Sequence, residues 1–275
     1  MKSLTKTLTP WGRTISPWGM IRLPEQRERR TIMEGMMLHR GALEVKRHDL
    51  DLVPLPEETD SYQPVSHFDL TDRLLTISQD ILTDYCLAGE KYALARQGQQ
   101  MFAFLQFRKE EADLGLCIAY RNSYDRSMSV GMAIGATVFI CDNLALTGEI
   151  AVMRKHTKNV WTTLEDLAIS TIYRSQRNFQ TIQVASDRMR GIHFSDADAF
   201  SNMGILFGMD IVSPRQIPIV REEWLRPKHR VFRERNAWSF YNACTEALKS
   251  CPPSAIMEKH IRLHREVENR LQLSQ

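Results

Sequence analysis

The chain has 275 residues, 43% of them hydrophobic and 25% charged, with a formal net charge of +3. This is the composition of one large or two small globular domains. No apolar run approaches the roughly 18 residues that span a bilayer, no apolar stretch follows the basic start as in a secretory signal, and the net charge is too small to argue by itself for a polyanionic partner.

The charge is unevenly distributed. Residues 1–50 carry ten Lys/Arg against five acids, residues 51–90 carry nine acids against Arg73 alone, and residues 215–235 carry seven Lys/Arg against three acids. Such asymmetry predicts surfaces of opposite sign that pair within one molecule or between subunits. The five cysteines (Cys86, Cys117, Cys141, Cys244, Cys251) form no CxxC pair, which reads as reduced thiols in a cytoplasmic protein.

Residues 1–66 read as an irregular arm, with "TPWG" at Thr9–Gly12 echoed by "SPWG" at Ser16–Gly19, a charged "EQRERR" at Glu25–Arg30, and an extended "VPLPEE". Residues 67–275 read as a single α+β domain. Its first helix has Asp69 or Thr71 as cap, an apolar face from Leu70 to Tyr85, and Gly89 as its end.

A run of short apolar segments follows: Met101–Phe107, Leu114–Tyr120, Ser127–Gly135, Thr137–Cys141 and Gly148–His156. Their short links predict an antiparallel β-meander of four to five strands over residues 98–157. In "SMSVGMAIG" the alternation puts Ser127, Ser129, Gly131, Ala133 and Gly135 on one face and Met128, Val130, Met132 and Ile134 on the other. A nearly bare strand face admits a helix, another backbone or a ligand.

From Val160 to about Arg190 apolar residues recur at three- and four-residue steps without Pro or Gly, predicting one long helix packed on the sheet. "SDADAF" (Ser195–Phe200) starts another helix, "SPRQIPIV" reads as extended, "NAWSFYNACTEALKS" as an amphipathic helix stopped by "CPP", and the segment after Ser254 as a final capped helix. On that helix His260 and His264 stand four apart, a metal-compatible spacing without a third ligand in evidence, which reads as two surface histidines.

Three basic stretches are candidates for chemistry. "RKHTKN" (Arg154–Asn159) leads into the long helix, where Arg154, Lys155, His156 and Lys158 beside free backbone N–H groups make either a solvated turn or a phosphate pocket. "RNSYDR" (Arg121–Arg126) is read between strands, either as a hydrogen-bonded turn or as a nucleotide clamp of Tyr124 with Arg121 and Arg126. "WLRPKHRVFRER" (Trp224–Arg235) interleaves aromatic and basic residues, as a solvated loop or as a single-strand binding segment. There is no Walker A loop, GxGxxG, nucleophile elbow or carboxylate cluster, so no catalytic residue, metal or cofactor is assigned.

The blocks "GQQMFAFLQF", "YRNSYDRSMSV", "TVFICDNLAL", "RKHTKNVW" and "NAWSFYNACTEALKS" resemble, in this order, those of the phage- and plasmid-encoded domain-of-unknown-function 932 family. Asn122, Ser123 and Asp125 match its Asn-Ser-x-Asp piece, Cys141 and Asn143 its Cys-x-Asn piece, and His156 with Thr157 its "RHT" block. Arg126 stands where many relatives carry Gly. The resemblance implies a mobile-element protein and sets no reaction. A more distant likeness, by arrangement alone, is to Red-beta-type annealing proteins that form rings or filaments.

These readings lead to a single-stranded DNA-binding protein of a phage or plasmid, with annealing as its role. Arg121, Arg126, Arg154, Lys155, Lys158, Arg226, Lys228, Arg230, Arg233 and Arg235 contact phosphates, Tyr124 and Phe232 stack on bases, His156 shapes the turn, and the chain self-assembles without a membrane or cofactor. The rivals are an interaction protein directed at a host defence or replication factor, and a metal-dependent nuclease using His156 with Asp125 or Asn143.

Overall fold

The computed structural model describes residues 42–109, 113–153 and 160–271, all within one compact unit. The "TPWG" echo and "EQRERR" lie outside the described residues. The segment read as an irregular arm nevertheless contributes an edge strand, β1 (Leu43–Val45), and a single helical turn, α1 (Arg47–Leu50).

Helix α2 (His67–Ile81) is capped by Ser66, whose Oγ accepts from the Asp69 N–H at 3.2 Å, rather than by Asp69 or Thr71. It buries Leu70, Leu74, Leu75 and Ile77. It ends well before Gly89, because residues from Cys86 onward pair with the sheet as β2 (Cys86–Ala95). The next strands are β3 (Gln100–Arg108), β4 (Leu114–Ser123), β5 (Val130–Val138) and β6 (Asn143–Met153). The result is an antiparallel six-stranded meander in sequence order, as expected for residues 98–157 but with two further strands before them. The two segments expected at Ser127–Gly135 and Thr137–Cys141 are one strand.

Helices pack on both faces of this sheet. Along β4, Leu116, Ile118, Tyr120 and Asn122 face α2, where the Tyr120 hydroxyl lies 2.9 Å from Thr71 Oγ1. Cys117, Ala119 and Arg121 point the other way, and opposite them on β5 stand Gly135, Ala133 and Gly131. At Gly135 the bareness serves a neighbouring backbone: an added Cβ would lie 2.2 Å from the Ala145 carbonyl oxygen and 2.7 Å from Leu146 Cδ2 on β6, beside the bulge between Met132 and Ile134. At Gly115 the Phe139 ring fills the equivalent space.

The expected long helix is two: α3 (Val160–Tyr173) and α4 (Ser175–Gly191). They join at Arg174, where ψ opens to −9°, away from the helical value near −42°. Next come α5 (Asp196–Gly208), begun by a Ser195–Asp198 capping box, and α6 (Ile217–Leu225). The latter replaces the expected extended segment, since Pro218 sits in the first turn, where a missing N–H costs no hydrogen bond. Helix α7 (Ala237–Leu248) is capped by the Asn236 side chain, which accepts from the Ser239 N–H at 2.9 Å. It is a central helix rather than an amphipathic one: every residue except Glu246 is buried.

Helix α8 (Ile256–Arg270) runs along β6 and α7. Its cap position is Ala255 rather than Ser254. His260 and His264 are buried core residues, not surface ones. Among the described residues no helix is long and apolar enough to cross a membrane.

Candidate nucleic-acid interface

The segment after α6 carries the densest basic sequence, and its fold sorts the cations. Arg226 follows the last turn of α6, Arg230–Phe232 forms a 3₁₀ turn, and Asn236 starts α7. Arg226, Arg233 and Arg235 converge with Leu225 and Pro227 around an open cleft of about 340 Å³. Arg226 is 82% exposed and stands 3.4 Å from Glu222 Oε1. Arg233 and Arg230 are exposed, and neither side chain has a hydrogen-bond or ion-pair partner among the described residues. Arg235 is anchored: its Nη1 donates to the Trp224 carbonyl at 2.6 Å and lies 3.7 Å from Asp196, with the guanidinium 4.6 Å above the Trp224 ring. The cleft therefore has one fixed cation at its wall and two that can reorient.

Two other members of this segment are otherwise engaged. Lys228 lies 3.1 Å from Glu223 and 3.0 Å from Glu246. Burial pulls its pKa down, but hydrogen bonds and charge from Glu246 and Glu223 outweigh that and hold it above the ordinary lysine value. Its charge is matched within the molecule. Phe232, expected to stack on a base, is buried, with its ring edge-on to His229 at 6.2 Å.

The "RNSYDR" segment differs most from its expected role. Arg121 sits on β4, not between strands, and is 7% exposed. Its Nη1 donates to Glu258 Oε1 at 2.7 Å, Glu258 Oε2 at 2.9 Å and the Ser254 carbonyl at 3.0 Å, tying the sheet to the start of α8. Tyr124 is 4% exposed; its ring stacks on His67 at 3.9 Å, and its hydroxyl accepts from the His67 N–H at 2.8 Å. A ring stacked on one side and only 4% exposed offers no free face to a base. Arg126 is exposed, at φ +58°, a left-handed position that favours glycine, and its guanidinium lies 4.1 Å over the Tyr62 ring. Arg154, Lys155, His156 and Lys158 lie outside the described residues.

The residues of the Asn-Ser-x-Asp piece, and Asn143 after Cys141, act as internal ties. Asn122 donates from Nδ2 to the Val65 carbonyl at 2.6 Å and to His67 Nδ1 at 3.0 Å, while His67 Nε2 donates to the Gly98 carbonyl at 3.0 Å. Burial pushes the His67 pKa down to about 4, the Gly98 carbonyl opposing only in part. Ser123 Oγ donates to the Met128 carbonyl and accepts from its N–H, closing the loop after β4. Asp125 accepts from Gln100 Nε2 at 3.0 Å, from the Ser127 N–H at 3.0 Å and from the Ser127 hydroxyl. Asn143 donates to Asn242 Oδ1 at 3.0 Å, joining β6 to α7. Asp125 follows the end of β4 and Asn143 begins β6, so they lie at opposite ends of the sheet. Among the described residues no group of three or more His, Cys, Asp or Glu is placed to hold a metal ion.

No family model matches the chain, no curated protein matches it, and no solved structure matches its fold. The geometry of its own side chains therefore carries the functional reading.

Sequence reasoning missed the most exposed aromatic among the described residues, Tyr173, and its neighbours Arg174 and Arg177. The signal was present. The buried positions Leu164, Ala168, Ile172, Phe179, Ile182 and Met189 define one side of α3 and α4, and Tyr173, Arg177, Val184 and Arg188 recur on the other.

Proposed function

We propose that the protein binds single-stranded DNA through the phosphate backbone and acts as an annealing factor of a mobile element. The observation that carries the reading is the convergence of Arg226, Arg233 and Arg235 on one open cleft. Guanidinium groups present donors in a planar fork that suits phosphate oxygens, and Arg233, whose side chain has no acid partner among the described residues, exchanges water and counterions for phosphates at low cost. Arg230, in the 3₁₀ turn beside the cleft, adds a further exposed cation. Annealing needs no catalytic group, because neutralised phosphates and outward-facing bases lower the barrier to pairing. Self-assembly has a source of attraction in the exposed acids Asp51, Glu57, Glu58 and Asp60, against basic surfaces of another copy. The motif resemblance to the phage and plasmid family agrees with this origin.

The test is fluorescence anisotropy with a labelled single-stranded oligonucleotide across a salt series. The expected result is log K falling linearly with log salt. The Arg226→Gln/Arg233→Gln variant should bind more weakly with a shallower slope, by about 0.7 for each phosphate that is no longer neutralised. Salt-independent binding, or no binding by the unaltered protein, would refute the reading.

A second reading, a protein-binding factor, is favoured by one observation. Phe200 and Phe207 stand 43% and 45% exposed on α5, seven residues apart and so on one side of the helix. On that reading the unaltered protein shows no salt-dependent DNA affinity, and Phe200→Ser/Phe207→Ser abolishes its binding to a partner protein.

A further inference from the structure

Tyr124 and Phe232, the aromatic side chains that the sequence points to for base stacking, are packed inside the protein, yet a single-strand site needs a π-face that a base can reach. Tyr173 offers one. It closes α3 at the joint with α4 and is 78% exposed, more than any other large hydrophobic side chain described. The two arginines next to it, Arg174 at the joint and Arg177 in the first turn of α4, are exposed, and neither side chain has a hydrogen-bond or ion-pair partner among the described residues.

The helical repeat continues the surface. Beyond Tyr173, the residues Arg177, Val184 and Arg188 follow at steps of seven and four residues, all exposed, forming one face of α4 about 16 Å long. Helices α3 and α4 carry three acids, Glu165, Asp166 and Asp187. Glu165 is paired with Arg73 at 2.9 Å, Asp187 lies 3.8 Å from Arg190, and Asp166 stands two turns before Tyr173. The chain just after α4 is bonded to the segment that carries the arginine cleft: the Phe194 N–H donates to the Arg235 carbonyl at 3.0 Å and the Ala237 N–H to the Ile192 carbonyl at 2.9 Å.

We infer that the α3–α4 joint is a base-stacking site for single-stranded nucleic acid, in which Tyr173 stacks on a base and Arg174 and Arg177 hold the flanking phosphates. This rests on the DNA-binding reading above and adds to it the residue that meets the bases. An aromatic ring beside uncommitted guanidinium groups combines sequence-tolerant stacking with backbone neutralisation, the two contributions from which single-strand affinity is built. The charge of the face selects this occupant: two cations without acid partners flank the ring, which disfavours a second copy presenting the same positive face.

The experiment is anisotropy with fluorescein-labelled oligothymidylate, using the full chain and variants whose thermal melting matches the unaltered protein. Tyr173→Ala is expected to weaken binding about 5- to 150-fold with an unchanged salt slope, the range that follows from removing one aromatic–base stack. Tyr173→Phe keeps the ring and should bind like the unaltered protein. Arg174→Gln/Arg177→Gln should flatten the slope instead. Full affinity in Tyr173→Ala, while the unaltered protein binds and the cleft variant binds more weakly, would overturn the inference and leave the DNA reading standing. A Tyr173→Ala variant with altered sedimentation and intact DNA affinity would make the face a contact between copies, and would also overturn it. No binding by the unaltered protein would remove both.

Discussion

Two buried histidines should make the fold fail in mild acid, before most carboxylates titrate. His67 and His260 are 0% and 1% exposed, and burial pushes each pKa down to about 4. For His260 the nearby Lys249 charge lowers it further, against a backbone bond to Leu144 that raises it. A histidine whose folded pKa lies below its unfolded value near 6.5 binds its proton preferentially when unfolded. Its contribution to stability is therefore complete above about pH 6.5 and is lost as pH falls toward about 4. At about pH 5 the cost is about 2 kcal/mol per histidine, or roughly 4 kcal/mol for the pair, a large part of the 5–15 kcal/mol typical of a domain.

The geometry at His67 shows why the proton is resisted. Nδ1 accepts from Asn122 Nδ2, so a proton there would face a donor, and turning the amide over would break its bond to the Val65 carbonyl. Asp125, Glu246 and Glu268 are held below their usual carboxylate values, so they enter only at lower pH. The assay is urea unfolding followed by tryptophan fluorescence between about pH 7.5 and about pH 5, for the unaltered protein and for His67→Gln and His260→Gln. Each variant should lose about half of the pH dependence, whatever its absolute stability. An unfolding free energy that is flat over that window, or a dependence that survives both substitutions, would refute the argument.

Replacing Arg121 by Met or Glu258 by Gln separates a structural from a DNA role at β4. Either change should destabilise the fold by about 2–4 kcal/mol in denaturant titration, below the full cost for a buried pair because the Glu258 side chain is 42% exposed, and leave the DNA affinity of the folded protein unchanged. Gly135→Ala should cost about 1–3 kcal/mol in thermal melting, since the new methyl meets the Ala145 carbonyl, which is backbone and cannot step aside. Ser66→Ala removes the α2 cap and should cost about 1 kcal/mol by the same measurement.

The meander was legible because Met101–Phe107 and Leu114–Tyr120 are apolar runs separated by turn residues, and that pattern is local. β2 was not, because "CLAGEKYALA" has the Ala, Glu, Lys and Leu of a helix; it is a strand because β3 offers it a ladder from Arg108 to Gln100. The "SPRQIPIV" stretch misleads for the opposite reason: proline there signals an extended chain but occupies a first helical turn. Helix α7 was visible as a helix, while its burial on all sides depends on α4, α6, α8 and β6 arriving around it.

The same division holds for the basic residues. The sequence by itself determined where the cations are concentrated along the chain, and that short linked strands must pair with their neighbours. Only the tertiary structure decided which cations stay in solvent. The Arg121 partner is 137 residues away and the two acids that hold Lys228 come from α6 and α7, whereas Arg226 and Arg233 were left around an open cleft. A charge is set by the side chain, but its availability depends on what the fold brings within about 4 Å of it, and no local pattern encodes that distance.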